Sequence, residues 1–128
     1  MSVLLLSVTE GREKSTEVPM SKPTDLVQGT VDLLILKVVA LEPIHGWAVA
    51  QRIQQVSNDV LKLNQSSLYP ALHRLEKQGW VQSEWGISEH GRRAKYYSLT
   101  NDGKKRLDKE LADWQRLSSA ISLVTHLA

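Results

Sequence analysis

Residues 64–100 read NQSSLYPALHRLEKQGWVQSEWGISEHGRRAKYYSLT, a helical pattern followed by two alternating segments. At about 100° per residue along a helix, Leu68, Ala71, Leu72 and Leu75 gather on one side. Ser66, Pro70, His73 and Lys77 recur at spacings of 4, 3 and 4 on the opposite side, flanked by Tyr69 and Arg74. Asn64 is placed to cap the helix. Pro70, lacking an N–H, predicts a tightened or bent first turn. Gly79 stops the helix and Trp80 anchors a strand. There Val81, Ser83 and Trp85 alternate with Gln82 and Glu84, the period of a half-buried strand. Tyr97 and Leu99 alternate likewise on the return. The connecting loop, 87–93, holds Gly91 for a tight turn and then the pair Arg92, Arg93.

A helix with one apolar and one hydrogen-bonding side, running into a ribbon with a basic tip, is what a winged helix-turn-helix uses to grip DNA. The helix offers side chains to a major groove while the ribbon reaches the neighbouring backbone. Read this way, Asn64, Gln65, Ser66, Ser67, Tyr69, Pro70, His73, Arg74 and Lys77 form the recognition face, and Arg92, Arg93 and Lys95 the wing contacts. Arginine suits phosphates and narrow, negative minor grooves. A solvated helix face and a solvated hairpin tip with incidental charge remain the plain alternatives. Against them, Glu76 is the sole acid on the helix face, and Tyr69 is a large side chain with little reason to be solvated.

The runs SSLYPALHRLEKQGW and GRRAKYYSLT resemble the PadR family of transcriptional regulators. A small residue, Leu-Tyr, a spacer and Leu-x-x-Leu-Glu precede a wing ending in Tyr-Tyr and Leu-Thr, in matching order and spacing. Upstream, GTVDLLILKVVALEPIHGWAVAQRI is similar to the family's first two helices, with its Gly-x-x-Asp opening and its His-Gly-aromatic start to the second. The resemblance runs from Leu26 to Leu127. It implies a mainly α fold with a small β-hairpin, namely a winged helix-turn-helix plus a C-terminal dimerisation helix. It also implies a homodimeric repressor. One helix follows the wing, as in the smaller members that lack a large C-terminal domain.

Composition agrees without deciding. At 128 residues and 41% apolar content, one domain is expected. Absence of cysteine excludes disulfides and thiolate metal sites and is compatible with a reducing compartment. The longest apolar run, Leu33 to Leu36, is too short to span a bilayer. Val3 to Leu6 is equally short and lacks the basic lead-in of a signal peptide. A cytoplasmic protein with no membrane partner is therefore expected. Net charge is only +2, but residues 62–106 carry nine Lys or Arg against four Asp or Glu, and the rest of the chain seven against ten. A positive half suits a polyanion partner.

Residues 1–25 are polar, without periodicity, and contain Pro19 and Pro23, so a disordered extension is expected. Met20 lies close to the family's usual start, so residues 1–19 read as an extension or an upstream start codon. A winged-helix domain is assigned to 26–100 and a dimerisation helix to 101–128. A nearly all-apolar helix from Gly29 or Thr30 to Leu41, ended by Pro43, should sit at the centre of the core. A second, from His45 to Ser57, is expected to bury Trp47, Ala50, Ile53 and Val56, and residues 60–63 to add a short strand against the wing.

Beyond Asn101, Leu107, Leu111, Trp114, Leu117, Ile121, Val124 and Leu127 recur at 4, 3, 3, 4, 3 and 3. Such a stripe belongs either to the protomer's own core or to an interface. A helix this long overhangs three short ones, so Leu107, Leu111, Trp114, Leu117, Ile121 and Val124 are read as a homodimer interface. Two-fold pairing implies double-stranded DNA with a pseudo-palindromic operator. Trp114 matches a tryptophan which, in some small PadR-like regulators, faces its symmetry mate and sandwiches flat aromatic compounds. The resemblance thus implies a small aromatic effector, with Asp113 favouring cationic ones. The competing reading is a tryptophan that simply packs.

Catalysis finds no support. His45, His73, His90 and His126 have no metal-ligand spacing, so neither a metal nor a cofactor is expected. Ser66, Ser67 and His73 lack an orienting acid or an oxyanion element. The other classes to weigh are a winged-helix protein-interaction module, which a neutral or acidic face would favour, and a small-ligand-binding protein without DNA binding.

Overall fold

A computed structural model describes residues 28–127. The expectations for residues 1–25 lie outside them. Seven elements follow in order: α1 (Gln28–Leu41), β1 (Ile44–His45), α2 (Gly46–Val56), α3 (Gln65–Lys77), β2 (Val81–Ile87), β3 (Arg93–Leu99) and α4 (Asn101–Thr125).

The core forms where α1 meets the other helices and the base of the sheet. Ile35, Leu36 and Val39 of α1 are fully enclosed, with Val49 and Ile53 of α2, Leu68, Leu72 and Leu75 of α3, and Val81 of β2. A helix apolar on nearly every side is stable only when covered on every side, which accounts for its central place. The recognition-helix face is as the spacing predicts, with Leu68, Ala71, Leu72 and Leu75 all buried.

The second helix buries only part of its expected face, Ile53 and to a lesser degree Ala50. Gly46, Val49 and Ile53 point inward, Ala50 is partly buried, and Trp47 and Val56 are exposed. The cause lies at Gly46. A Cβ there would stand 2.8 Å from a ring carbon of Tyr69, so glycine lets the tyrosine ring of α3 lie directly on α2. That approach selects the Val49–Ile53 stripe over the neighbouring one. Trp47 lies flat against His45 outside the core, with ring centroids 6.1 Å apart.

The third strand also differs from expectation. Residues 60–63 form no strand; Ile44 and His45 pair instead with Tyr97 and Tyr96 at the edge of the sheet, giving the order β1-β3-β2. Two residues are too few to show a period of two, so sequence pattern had nothing to detect.

Both ends of α3 are closed by local hydrogen bonds. The Asn64 side chain accepts from the Ser67 N–H at 3.0 Å, and its carbonyl accepts from both Ser67 and Leu68, a tightened first turn that leaves room for Pro70. At the far end, the Trp80 N–H donates to the Leu75 carbonyl and the Gly79 N–H to that of Glu76, with Gly79 at φ +80°. This is a Schellman stop, and it needs glycine for its left-handed residue.

Candidate nucleic-acid interface

Asn64, Gln65, Ser66, Tyr69, Pro70, His73 and Lys77 all lie exposed along the outer side of α3, and Ser67 is half-buried. Their common exposure follows from the burial of the leucine face behind them. Ser66 is already engaged, its hydroxyl donating to the Asn64 side chain at 2.6 Å. Arg74 departs from the expected set. Its guanidinium turns back to the carboxylate of Asp32 on α1, so it braces the helix from behind. Burial raises the Asp32 carboxyl above its ordinary range, against the pull of Arg74.

In the wing, β2 and β3 pair from Val81↔Leu99 out to Ile87↔Arg93. The loop beyond closes through Ser88 N–H to the Arg92 carbonyl at 2.7 Å and Gly91 N–H to the Ser88 carbonyl at 2.8 Å, with Gly91 at φ +75°. The expected alternation of Val81, Ser83 and Trp85 holds only near the base. Val81 is buried, Ser83 half-buried and Trp85 exposed, because the ribbon outgrows the helix that covers it. Arg92 and Arg93 are both exposed at the tip.

Lys95 is placed differently from the two arginines. Its ammonium lies 3.5 Å from Glu76 on α3, and the same carboxylate accepts a hydrogen bond from Ser83 of β2. The Ser83 hydrogen bond first, and Lys95 with it, hold the Glu76 carboxyl below its usual range. Glu76, the lone acid on this side of α3, therefore ties the helix to both wing strands. An acid in an otherwise basic row was the signal for it in the sequence.

The seam on α4 divides in two. Leu107 is buried in the protomer's own core and Leu111 is partly buried against it, which removes Leu107 from any interface. From there outward Trp114, Leu117, Ile121 and Val124 are exposed, as is Leu127 just past the helix. Asp113 offers no free carboxylate, since its two oxygens accept from Lys109 and Arg116 at 3.0 Å each. Those two hydrogen bonds lower its pKa, so the carboxylate expected to favour cationic effectors is shared with two neighbouring cations.

Helix α4 is hydrogen-bonded to the residues that end α3. Thr100 caps it, accepting from Gly103 N–H at 2.9 Å and donating to the Gly79 carbonyl at 2.6 Å, while its own N–H donates to the Trp80 carbonyl at 3.1 Å. The Arg106 guanidinium stacks 4.6 Å from the centre of the Trp80 ring. Among the described residues, no group of three or more His, Cys, Asp or Glu could hold a metal ion, and no helix is long and apolar enough to cross a membrane.

Three helices closed by a three-stranded sheet, with a protruding hairpin beside the last of them, define a winged helix-turn-helix protein. Residues 35–109 match the transcriptional regulator PadR-like family, and the chain belongs to it. A transcriptional regulator from Clostridium thermocellum is 27% identical, with a TM-score of 0.70 over 77% of this chain and 96% of that one. A PadR family transcription regulator from Clostridium difficile is 28% identical, with a TM-score of 0.64 over 74% of this chain and 97% of that one. In sequence, uncharacterised protein X of Lysinibacillus sphaericus is 27% identical over 100 residues, 78% of this chain and 92% of its own.

Proposed function

We propose that the chain is a cytoplasmic, homodimeric transcriptional repressor that grips a pseudo-palindromic operator in double-stranded DNA and is released by a signal. The observation that carries the DNA reading is the Glu76 tie to Ser83 and Lys95. It braces the wing against α3, which supports reading the exposed row Tyr69, His73 and Lys77 and the arginines of the wing as one surface. A major groove and the adjoining phosphates are the partners with that layout.

Dimerisation is supported by the outer part of α4. Trp114, Leu117, Ile121 and Val124 stand uncovered on one face of a single helix, a continuous apolar strip that a second copy would bury. Trp114 stands at the inner end of that strip, where paired indoles would offer two π-faces to a flat aromatic effector. Repression is the direction of control that the PadR resemblance implies. The role is regulatory and not catalytic.

The test is binding to the genomic fragments that the purified protein itself retains, followed by fluorescence anisotropy on the recovered site. Arg92→Ala with Arg93→Ala should weaken all duplexes alike and flatten the salt dependence by roughly one unit of slope per lost phosphate contact. His73→Ala should instead change discrimination between sites, by about 1–3 kcal/mol for a lost base contact. Unchanged affinity and slope in the double arginine variant would remove the wing from the interface.

A further inference from the structure

Trp85 is the largest side chain on the wing, and it is 56% exposed. On β2 it follows Val81 and Ser83 on the face turned toward α3, but lies beyond the reach of that helix. The residues across from this face are Leu99, Tyr97, Lys95 and Arg93, with Trp85 directly opposite Lys95 and Ile87 opposite Arg93. Arg93 is therefore the diagonal neighbour of Trp85, a separation that long side chains cross. It does cross it: the guanidinium carbon of Arg93 is 4.4 Å from the centre of the indole. Among the described residues no ring holds Arg92 in this way.

A guanidinium lying on an aromatic face keeps its N–H donors, which radiate from the edge of the plane, free for another partner. Its long stem, meanwhile, is no longer loose. From this geometry we infer that Trp85 is a positioning residue for the wing, holding Arg93 as a preset fork for a phosphate or a minor-groove edge. Arg93, not Arg92, is then the principal wing contact. The inference rests on the DNA-binding reading and adds which arginine acts and what holds it. Lys95 completes the division of labour, being drawn back toward Glu76 and away from the tip.

The test is anisotropy with a fluorescein-labelled mixed-sequence duplex at low salt, because a wing contact of this kind does not depend on sequence. Trp85→Leu, which keeps apolar bulk and removes the π-face, should bind about two- to tenfold more weakly. Trp85→Phe should recover most of that loss. In an Arg93→Ala background, Trp85→Leu should cost nothing further, because the residue it positions is gone. Arg93→Lys approaches the same link from the other side, keeping charge but losing the planar fork, and should weaken binding about as much as Trp85→Leu. It does so without touching the indole, and so remains informative should Trp85→Leu fail to fold.

An equal loss from Trp85→Leu with and without Arg93 would overturn the inference, as would Trp85→Phe behaving like Trp85→Leu. So would full binding by Arg93→Ala alongside weakened binding by Arg92→Ala. Failure of the unaltered protein to bind any duplex would instead bring down the DNA-binding reading itself.

Discussion

Arg74 reaches from the recognition helix to Asp32, 42 residues earlier in the chain, and their ion pair fastens that helix to the centre of the core. Its position on α3 faces the side where DNA contacts were expected, yet its charge is spent inward.

Loss of this pair should show a distinctive pH dependence. Burial already raises the Asp32 carboxyl above its ordinary value. A carboxyl raised in the folded state contributes stability that is full at acid pH, below its unfolded pKa, and lost as pH rises through the folded one. Arg74→Ala removes the opposing pull, moves the folded pKa further up, and leaves a half-buried anion unpaired at neutral pH. The variant should lose about 1–3 kcal/mol there, with the deficit shrinking toward acid. Asp32→Asn with Arg74→Ala should abolish that pH dependence. Urea denaturation across the carboxylate range measures both, and a deficit constant with pH would refute the pairing.

Gly103→Ala should destabilise the protein even though alanine favours helix. Propensity alone predicts a gain of about 1 kcal/mol. A Cβ at Gly103, however, would collide with the Trp80 carbonyl, a backbone atom already accepting from Thr100. Overpacking of this kind costs about 1–3 kcal/mol, so thermal melting should fall. A rise in melting temperature would show that α4 can shift without penalty.

Leu117→Asp and Ile121→Asp should separate the proposed dimer without unfolding the protomer, because both side chains are exposed within it. Sedimentation should give a monomer in each case, with specific DNA binding lost together with pairing. Leu107→Asp should unfold the protein outright, since that leucine is only 5% exposed. An unaltered protein that sediments as a monomer at micromolar concentration would end the dimer proposal.

Planar aromatic dyes should quench tryptophan emission if paired Trp114 side chains receive them. Three other tryptophans contribute to the signal, Trp47, Trp80 and Trp85, so Trp114→Ala is the necessary control. Quenching that persists in the control would leave Trp114 as a packing residue. The Lys109 and Arg116 pairs on Asp113 lead to a further expectation, that charge on the dye matters little.

What could be read from the chain itself was whatever repeats locally. Leu68, Ala71, Leu72 and Leu75 mark one helix face unambiguously, and Gly79 marks its end. The second helix carries two overlapping apolar stripes, one through Val49 and Ile53 and one through Trp47, Ala50, Ile53 and Val56. Which of them turns inward is decided by Tyr69 packing on Gly46, a contact between helices that no periodicity encodes. The fates of Arg74 and Lys95 depend on partners 42 and 19 residues away. Both look like free cations in the sequence because pattern shows composition along a face and not which charges meet across the fold. Leu107 illustrates the same limit, since a continuous seven-residue seam gives no sign of where core stops and open surface begins.

Thr100 is the only residue between β3 and α4, and it is hydrogen-bonded on both sides. No slack separates the element proposed to meet DNA from the one that would meet the second subunit. The proposed dimer would then be a fixed gauge, its two reading heads unable to slide to follow an altered site. One base pair inserted between half-sites rotates the second by roughly 34–36° about the duplex axis. The one-residue joint at Thr100 offers no loop to take up that angle, so in the proposed dimer the length of the operator spacer should be as selective as the bases that flank it.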